Sequence, residues 1–414
     1  MDTRQKLALL GDAAQGDVLG DGEQAAHRGR SSELVHCVGS ALLPNGRRVK
    51  LLKVLLSNVC QNDCAYCAVR AGRDVPRAAF TPDEMARGFH QMQSAGLVEG
   101  LFLSSGVGMN PVREMDRLIA AAEITRRRYG FRGYVHLKIL PGALPDQVER
   151  AAQLADRISA NLEAPNPQRL ARLSSAKQFR GQLLASLQTA SRLIRAGLRR
   201  PSPPSITTQY VVGASDESDR EILATSSYLY SKLGLARAYY SGFRPIVNTP
   251  LEDHPGTPLA REHRLYQADF LLRQYGFGFD ELVFADEGNL PSDRDPKQAW
   301  AEAHPEHFPV EVNLAPRAAL LRVPGIGPKA AQRILAGRGQ GKIRDLAHLR
   351  ALGIDPRRAG PWVLLDGRRP PLQLCLWPDG PAGGGEPAPA GLFGPAFRLL
   401  PALVWRRQGA APRP

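Results

Sequence analysis

Val54-Leu55-Leu56-Ser57-Asn58-Val59-Cys60-Gln61-Asn62-Asp63-Cys64-Ala65-Tyr66-Cys67 is an apolar strand running straight into three cysteines spaced Cys-x3-Cys-x2-Cys. The strand starts at Val49 and ends at Leu56. Three thiols follow within eight residues, with an aromatic just before the last. Thiolates at such a spacing are soft ligands for iron or zinc. A cubane iron–sulfur cluster takes three of them on three irons and leaves the fourth iron open to a small molecule. A structural zinc needs four ligands in a tetrahedron, and Cys37 or one of several histidines could supply the fourth. Zinc pairs usually come as two short Cys-x-x-Cys hairpins, and this chain has one cluster.

Beyond this stretch the chain repeats one theme, strand then helix. Strands are expected at Val49–Leu56, Leu97–Leu103, Tyr134–Leu140, Arg157–Leu162, Ile206–Val212 and Ala236–Tyr240. Helices are expected after them. The first opens at Thr81-Pro82-Asp83-Glu84, with Thr as cap, Pro at the first helical position and Glu three residues after the cap. The others run Pro111–Tyr129, Pro145–Leu154, Gln178–Ala196, Glu217–Leu233 and Pro258–Tyr275. Six such units in series predict an α/β fold with a parallel sheet or barrel. In such folds ligands gather at the C-terminal ends of the strands, where the cysteines sit.

Length and charge organise the rest. A chain of 414 residues exceeds one typical core. The expected organisation is an N-terminal helix and polar segment (1–45), a core (46–284), a linker (285–315), a small helical module (316–370) and a Gly/Pro-rich tail (371–414). Five cysteines in a chain this long do not make a disulfide scaffold. No apolar run approaches the length of a bilayer span, and the first residues lack a secretory pattern, so a cytoplasmic protein without membrane contact is expected. The net charge is +14, and it is uneven. Residues 316–414 carry 16 Lys+Arg against 5 Asp+Glu, while residues 1–315 carry 38 against 35. A basic C-terminal quarter favours a polyanion as partner.

The cysteine spacing, the aromatic Tyr66 and the strand–helix order over residues 45–290 resemble the radical S-adenosylmethionine (radical SAM) superfamily. The resemblance implies a partial (βα)6 TIM-like barrel. It also implies a [4Fe–4S] cluster on Cys60, Cys64 and Cys67, with S-adenosylmethionine on the open iron. Reductive cleavage then yields methionine and a 5′-deoxyadenosyl radical. An electron donor such as flavodoxin or ferredoxin is implied as well. Ser104-Ser105-Gly106 stands where many relatives have Gly-Gly-Glu, so a backbone contact can survive there and a carboxylate contact cannot. Asn161 and Glu163 end the fourth strand on one side, within reach of cofactor. Gly213 would allow close approach near adenine, and Glu217 reads equally as a helix-start residue. His136, Lys138, Tyr239, Tyr240 and Arg244 are further strand-end candidates.

Leu321-Arg322-Val323-Pro324-Gly325-Ile326-Gly327-Pro328-Lys329 resembles a helix–hairpin–helix. Gly325 and Gly327 would permit the turn, Pro328 would start the second helix, and Lys329 and Arg333 would add charge beside amides facing a phosphate. A weaker second copy follows at Leu352-Gly353-Ile354-Asp355-Pro356. A radical SAM core with this module is similar to the group of radical SAM proteins assigned to DNA modification or repair. That group implies DNA, or RNA, as partner. Cys375 is too weakly placed for a role at substrate. The alternative is a non-enzymatic DNA-binding iron–sulfur protein, although glycosylases of that kind carry four cysteines after the hairpin.

Overall fold

Side-chain caps set where the helices of this chain begin. Thr81 Oγ1 accepts the Glu84 N–H at 3.2 Å, and the Glu84 carboxylate accepts the Thr81 N–H at 2.8 Å. Each satisfies an amide that the first helical turn leaves open. Ser218 and Glu221 repeat the device, and Asn110, Asn166 and Asp295 each cap a helix that has Pro in its first turn. A computed structural model describes residues 1–17, 37–42, 47–198 and 202–371. The expectations for Cys375 and nearly all of the tail lie outside the described residues.

In chain order the elements are α1 (Thr3–Ala13), β1 (Val38–Leu42), β2 (Arg48–Leu55), α2 (Pro82–Ser94), β3 (Gly100–Ser104), α3 (Pro111–Glu123), β4 (Tyr134–Lys138), α4 (Pro145–Leu154) and β5 (Arg157–Ser159). There follow α5 (Pro167–Leu173), α6 (Ala185–Arg195), β6 (Ser205–Val212), α7 (Asp219–Tyr228), β7 (Arg237–Gly242), α8 (Leu259–Gln274) and α9 (Pro296–Ala303). The last are β8 (Val310–Glu311), α10 (Arg317–Arg322), α11 (Pro328–Gly337), α12 (Leu346–Ala351), α13 (Pro356–Ala359) and β9 (Val363–Leu364). Strands β1 to β7 form one sheet in chain order. β1 pairs antiparallel to β2, and β2 to β7 are all parallel. The six expected strands are therefore β2 to β7, with helices between them: an α/β fold whose seven-stranded sheet suits a curled half-barrel.

Several elements differ from expectation. β1 lies in a segment whose glycines and polar residues concealed a strand, because an edge strand needs no long apolar run. α5 and α9 are short and start on Asn-Pro and Asp-Pro, a cap followed by a rigid first residue. α9 falls in 285–315, where little periodicity was visible. Three expected helices include a wider π-turn, at Ile124–Arg128, Phe179–Leu184 and Leu229–Leu233.

Three apolar clusters are found among the described residues, the smallest being Ala41, Val49, Leu51 and Phe102. The largest packs the outer face of the sheet against its helices, with Val54, Leu103, Leu137, Ile158 and Ile206 in register across five strands. The second lies under residues 310–365 and includes Leu320, Ile326, Ile334, Leu349 and Val363. Lys297 of α9 joins the two regions. Its buried ammonium donates to Leu321 O at 3.1 Å and Ile326 O at 2.5 Å and lies 4.7 Å from the centre of the Tyr275 ring. Burial pushes this amine down to about 7. Among the described residues no helix is long and apolar enough to cross a membrane.

A buried carboxylate fastens the last parallel strand to its helix. Asp269 of α8 is fully buried; it accepts Tyr240 Oη at 3.0 Å, Tyr230 Oη, and the Arg273 guanidinium at 2.6 and 2.8 Å. Asp269→Ala strands a buried cation and two hydroxyls, and should cost about 3–5 kcal/mol in urea unfolding, with the m-value unchanged.

Candidate functional site

The loop after β2 carries Cys60, Cys64 and Cys67, all free thiols, with Cys64 buried and the other two half-buried. A loop of this length would wander without anchors. Arg77 supplies most of them: its guanidinium donates to Asn58 O at 2.6 Å, Val69 O at 2.8 Å, Arg70 O at 2.9 Å and Arg73 O at 3.0 Å. Asn58 closes the loop's base, donating to Pro76 O at 2.9 Å and accepting Ala78 N–H at 2.8 Å. Asp63 ties the loop to the segment after α5, accepting Ser174 Oγ at 2.5 Å and Ser175 Oγ at 2.6 Å as well as the Ser175 and Ala176 amides. Burial opposes its charge, but these hydrogen bonds hold its carboxyl well below the usual carboxylate range. Arg77 and Asp63 were not legible as site residues. Their signal is contact with backbone far along the chain.

Ser104-Ser105-Gly106 lies directly against this loop. Val107 N–H donates to Cys60 Sγ at 3.4 Å, Gly106 N–H to Ser57 O at 2.6 Å, and Gln61 N–H to Val107 O at 2.7 Å. A Cβ on Gly106 would come within 2.7 Å of Val59 O and 3.2 Å of Cys60 Cβ. The glycine is therefore required by the protein's own backbone. Burial pushes the Cys67 thiol up to about 11 despite a hydrogen bond from the Val69 backbone. Cys37 is also buried and pushed up to about 11, beside Gly11 of α1 rather than beside this loop.

Tyr66 and Glu163, expected at one site, are joined by a residue the sequence did not single out. Lys177 Nζ lies 2.8 Å from Glu163 Oε1 and 3.2 Å from Tyr66 Oη, and its side chain is only 8% exposed. Burial works against the Lys177 charge, yet the Cys64 sulfur and the Glu163 carboxylate raise its pKa well above the ordinary lysine value. Burial likewise opposes the Glu163 charge, which Lys177 and then Lys138 restore, holding that carboxyl below its usual value. Glu163 adopts φ +65°, a strained conformation for a side-chain-bearing residue. It is held there by two backbone hydrogen bonds to β6, from its N–H to Gln209 O and from Val211 N–H to its carbonyl. Asn161 is buried two residues earlier.

The other candidates sort differently. Gly213 has φ +84°, and a Cβ there would meet Thr257 Oγ1 at 2.2 Å. Its carbonyl lies 2.7 Å from a His254 ring nitrogen. Its openness therefore serves packing inside the protein. Glu217 is buried and holds its own turn, accepting Gly213 N–H at 2.5 Å and Ser215 Oγ at 2.7 Å. Tyr240 belongs to the Asp269 network, and Arg244 donates to Thr257 O. His136 is buried, 2.8 Å from Ser159 Oγ, and burial drives its pKa well below the ordinary value.

The description "Radical SAM superfamily" matches residues 54–229. Among solved structures, the chain is similar to the [FeFe]-hydrogenase maturase HydG (16% identity, 53% of this chain and 48% of that one, TM-score 0.42). HydG from Carboxydothermus hydrogenoformans is matched at 18% identity over 53% of this chain and 50% of that one, with a TM-score of 0.40. Methylornithine synthase (PylB) is matched at 14% identity over 53% of this chain and 60% of that one, with a TM-score of 0.42. The alignment spans about half the length of the maturases. No curated protein matches the chain.

The Lys177–Glu163 pair gives a direct test of the geometry. Lys177→Met alone should cost about 3–5 kcal/mol by leaving a buried carboxylate without its cation. With Glu163→Gln added, denaturant unfolding should return a coupling energy of about 0.5–3 kcal/mol.

Proposed function

We propose that this chain, whose residues 54–229 match the radical SAM superfamily, is a radical SAM enzyme that directs that chemistry at nucleic acid, modifying or repairing DNA held by a C-terminal helix–hairpin–helix module. Enzymes of this superfamily use a [4Fe–4S] cluster and S-adenosylmethionine, which they cleave reductively. The non-enzymatic alternative is thereby set aside. Cys60, Cys64 and Cys67 are the residues that would hold the cluster. The donor set fits: three free thiols on one braced loop beyond β2, one of them accepting an amide hydrogen bond of the kind that tunes cluster thiolates. Among the described residues no three His, Cys, Asp or Glu side chains form a group that could hold a metal ion. In a cubane each thiolate takes a different iron, so three thiols need not converge on one point.

The cluster held by Cys60, Cys64 and Cys67, with S-adenosylmethionine, would supply radical chemistry able to remove a hydrogen atom from substrate. The protein's residues hold and orient. On this reading Tyr66, on the loop itself, and Ser104, Ser105, Asn161 and Glu163, at or just after the ends of β3 and β5, would contact the cofactor, with Lys177 keeping Glu163 ionised. Gly106 acts one layer back, by letting the cysteine loop and the β3 end approach. Gly213 supports the β6 turn. A one-electron donor such as flavodoxin or ferredoxin would dock from outside.

The turn between α10 and α11 carries the nucleic-acid half of the proposal. Gly325 takes φ +82°, Gly327 precedes Pro328, and no side chain caps the first turn of α11. Lys329 is exposed beside those amides. Such a helix start attracts phosphate. A second turn, with Gly353 at φ +75°, leads into α13 with exposed Arg357 and Arg358. Arg333 donates to Leu352 O at 3.0 Å, so it also braces one turn against the other. The 16-to-5 excess of basic over acidic residues in 316–414 supplies the long-range attraction.

Anaerobic reconstitution with dithionite and S-adenosylmethionine tests the chemistry. Cys64→Ala should lose bound iron and 5′-deoxyadenosine formation together. Gly106→Ala should lose iron while keeping its circular dichroism. Lys329→Glu should weaken duplex binding for any sequence and lower the slope of log K against log salt by about 1. Unchanged duplex affinity in that variant would remove nucleic acid from the proposal.

A further inference from the structure

None of the six parallel strands β2 to β7 contains an aspartate or a glutamate. Alternate residues of a strand face opposite sides. The residues next to the apolar row that packs on the helices therefore face the other way. Lys53, Phe102, His136, Arg157 and Ser205 form one such row in register, and Lys138 stands one step further toward the strand ends. This inner face is buried and mixed: Phe102 packs with Val49 and Leu51, and cationic side chains stand beside them. Lys53 is 5% exposed and Arg157 is 7% exposed. Arg157 is matched within the sheet by Ser205 Oγ and Tyr239 Oη, each at 3.0 Å.

The remaining donors turn to the N-terminal segment. Just after α1, three consecutive residues present three oxygens to three different strands. Lys53 Nζ of β2 donates to Gln15 O at 3.4 Å. Gln209 Nε2 of β6 donates to Gly16 O at 2.8 Å. Lys138 Nζ of β4 donates to the Asp17 carboxylate, both side chains being less than a fifth exposed. Neighbouring Cα atoms lie about 3.8 Å apart, so the three acceptors belong to one short turn, reached from three strands. The Lys138 charge also contributes, after Lys177, to holding Glu163 ionised.

We propose that Lys53, Lys138 and Gln209 form the receiving site for a phosphate group of the substrate, and that Gln15, Gly16 and Asp17 fill it until substrate arrives. The proposal deepens the nucleic-acid reading and rests on it for the choice of ligand. Two ammonium groups and an amide suit a tetrahedral anion with several oxygens. Of these three residues only Asp17 carries a charge. A phosphate monoester brings about −1.5 to −2 at neutral pH, so it can displace the turn from a cationic pocket. The phosphate could belong to a free mononucleotide or to the 5′ end of a strand.

Hydrogen–deuterium exchange and equilibrium dialysis on the iron-loaded protein with S-adenosylmethionine test this. The probes are inorganic phosphate, the four 2′-deoxynucleoside 5′-monophosphates, the matching nucleosides, and short single strands with and without a 5′-phosphate. Phosphate-bearing probes should bind and speed exchange in residues 7–17, while nucleosides do neither. Lys138→Met should weaken binding at least tenfold. Asp17→Asn, which removes the competing charge and leaves the pocket's donors in place, should tighten it severalfold. A better grip on 5′-phosphorylated strands than on mononucleotides would assign the phosphate to a polymer end, and the reverse to a free nucleotide. Equal binding of nucleosides and nucleotides, unchanged exchange at residues 7–17, or an Asp17→Asn variant with wild-type affinity would each overturn the proposal. Lys329→Glu separates the two readings: it should leave mononucleotide binding unchanged while lowering duplex binding. Loss of the duplex effect alone would leave the phosphate site standing and remove the hairpin.

Discussion

Four backbone carbonyls converging on the Arg77 guanidinium are the interaction on which the cysteine loop depends. A loop that turns its carbonyls inward needs donors for them, or the fold bears the cost of unpaired polar groups. Arg77 gives several donors from one planar group, and its charge strengthens each bond. Asn58 and Asp63 then fasten the loop at its base and at its far side. The thiols are presented by a rigid backbone, although each cysteine side chain is itself free. Gly106 completes the arrangement from the neighbouring strand, since any side chain there would push the loop away.

The sheet imposes a second constraint. Parallel strands covered by helices on one face must be apolar on that face, and the alternation leaves the other face open to choice. Here that face mixes apolar and cationic side chains without a single carboxylate on the strands. Buried cations need oxygen. Glu163 and Asp17 bring carboxylates from beyond the strands, one from the end of β5 and one from the turn after α1. The cations of this inner face are thus balanced in part by groups that are not part of the sheet.

The C-terminal helices rest on their own apolar cluster. Lys297 reaches from α9 to the carbonyls of Leu321 and Ile326, at the end of α10 and in the turn that follows. With those carbonyls drawn inward, the turn and the uncapped start of α11 keep a defined orientation toward α8, whose C-cap residue Tyr275 lies under the same ammonium and beside Gly327.

The cysteine loop, the six parallel strands and the turn at Gly325 were legible in the chain because each rests on local chemistry: ligand spacing, apolar runs, and a turn whose positive φ needs glycine. The caps at Thr81 and Ser218 were legible in principle for the same reason. Lys177, Asp63, Arg77 and Lys297 were not, because a lone charged residue reads as surface until the fold brings a partner to it from far along the chain. Lys177 lies 111 residues from Tyr66 in sequence and 3.2 Å away in space. The same physics recast Gly106, Gly213 and Glu217, whose nearest demands come from neighbouring protein atoms. Local pattern specified the spacing of the thiols and the order of the strands; long-range contact, through burial and charge pairing, selected which side chains are held beside them.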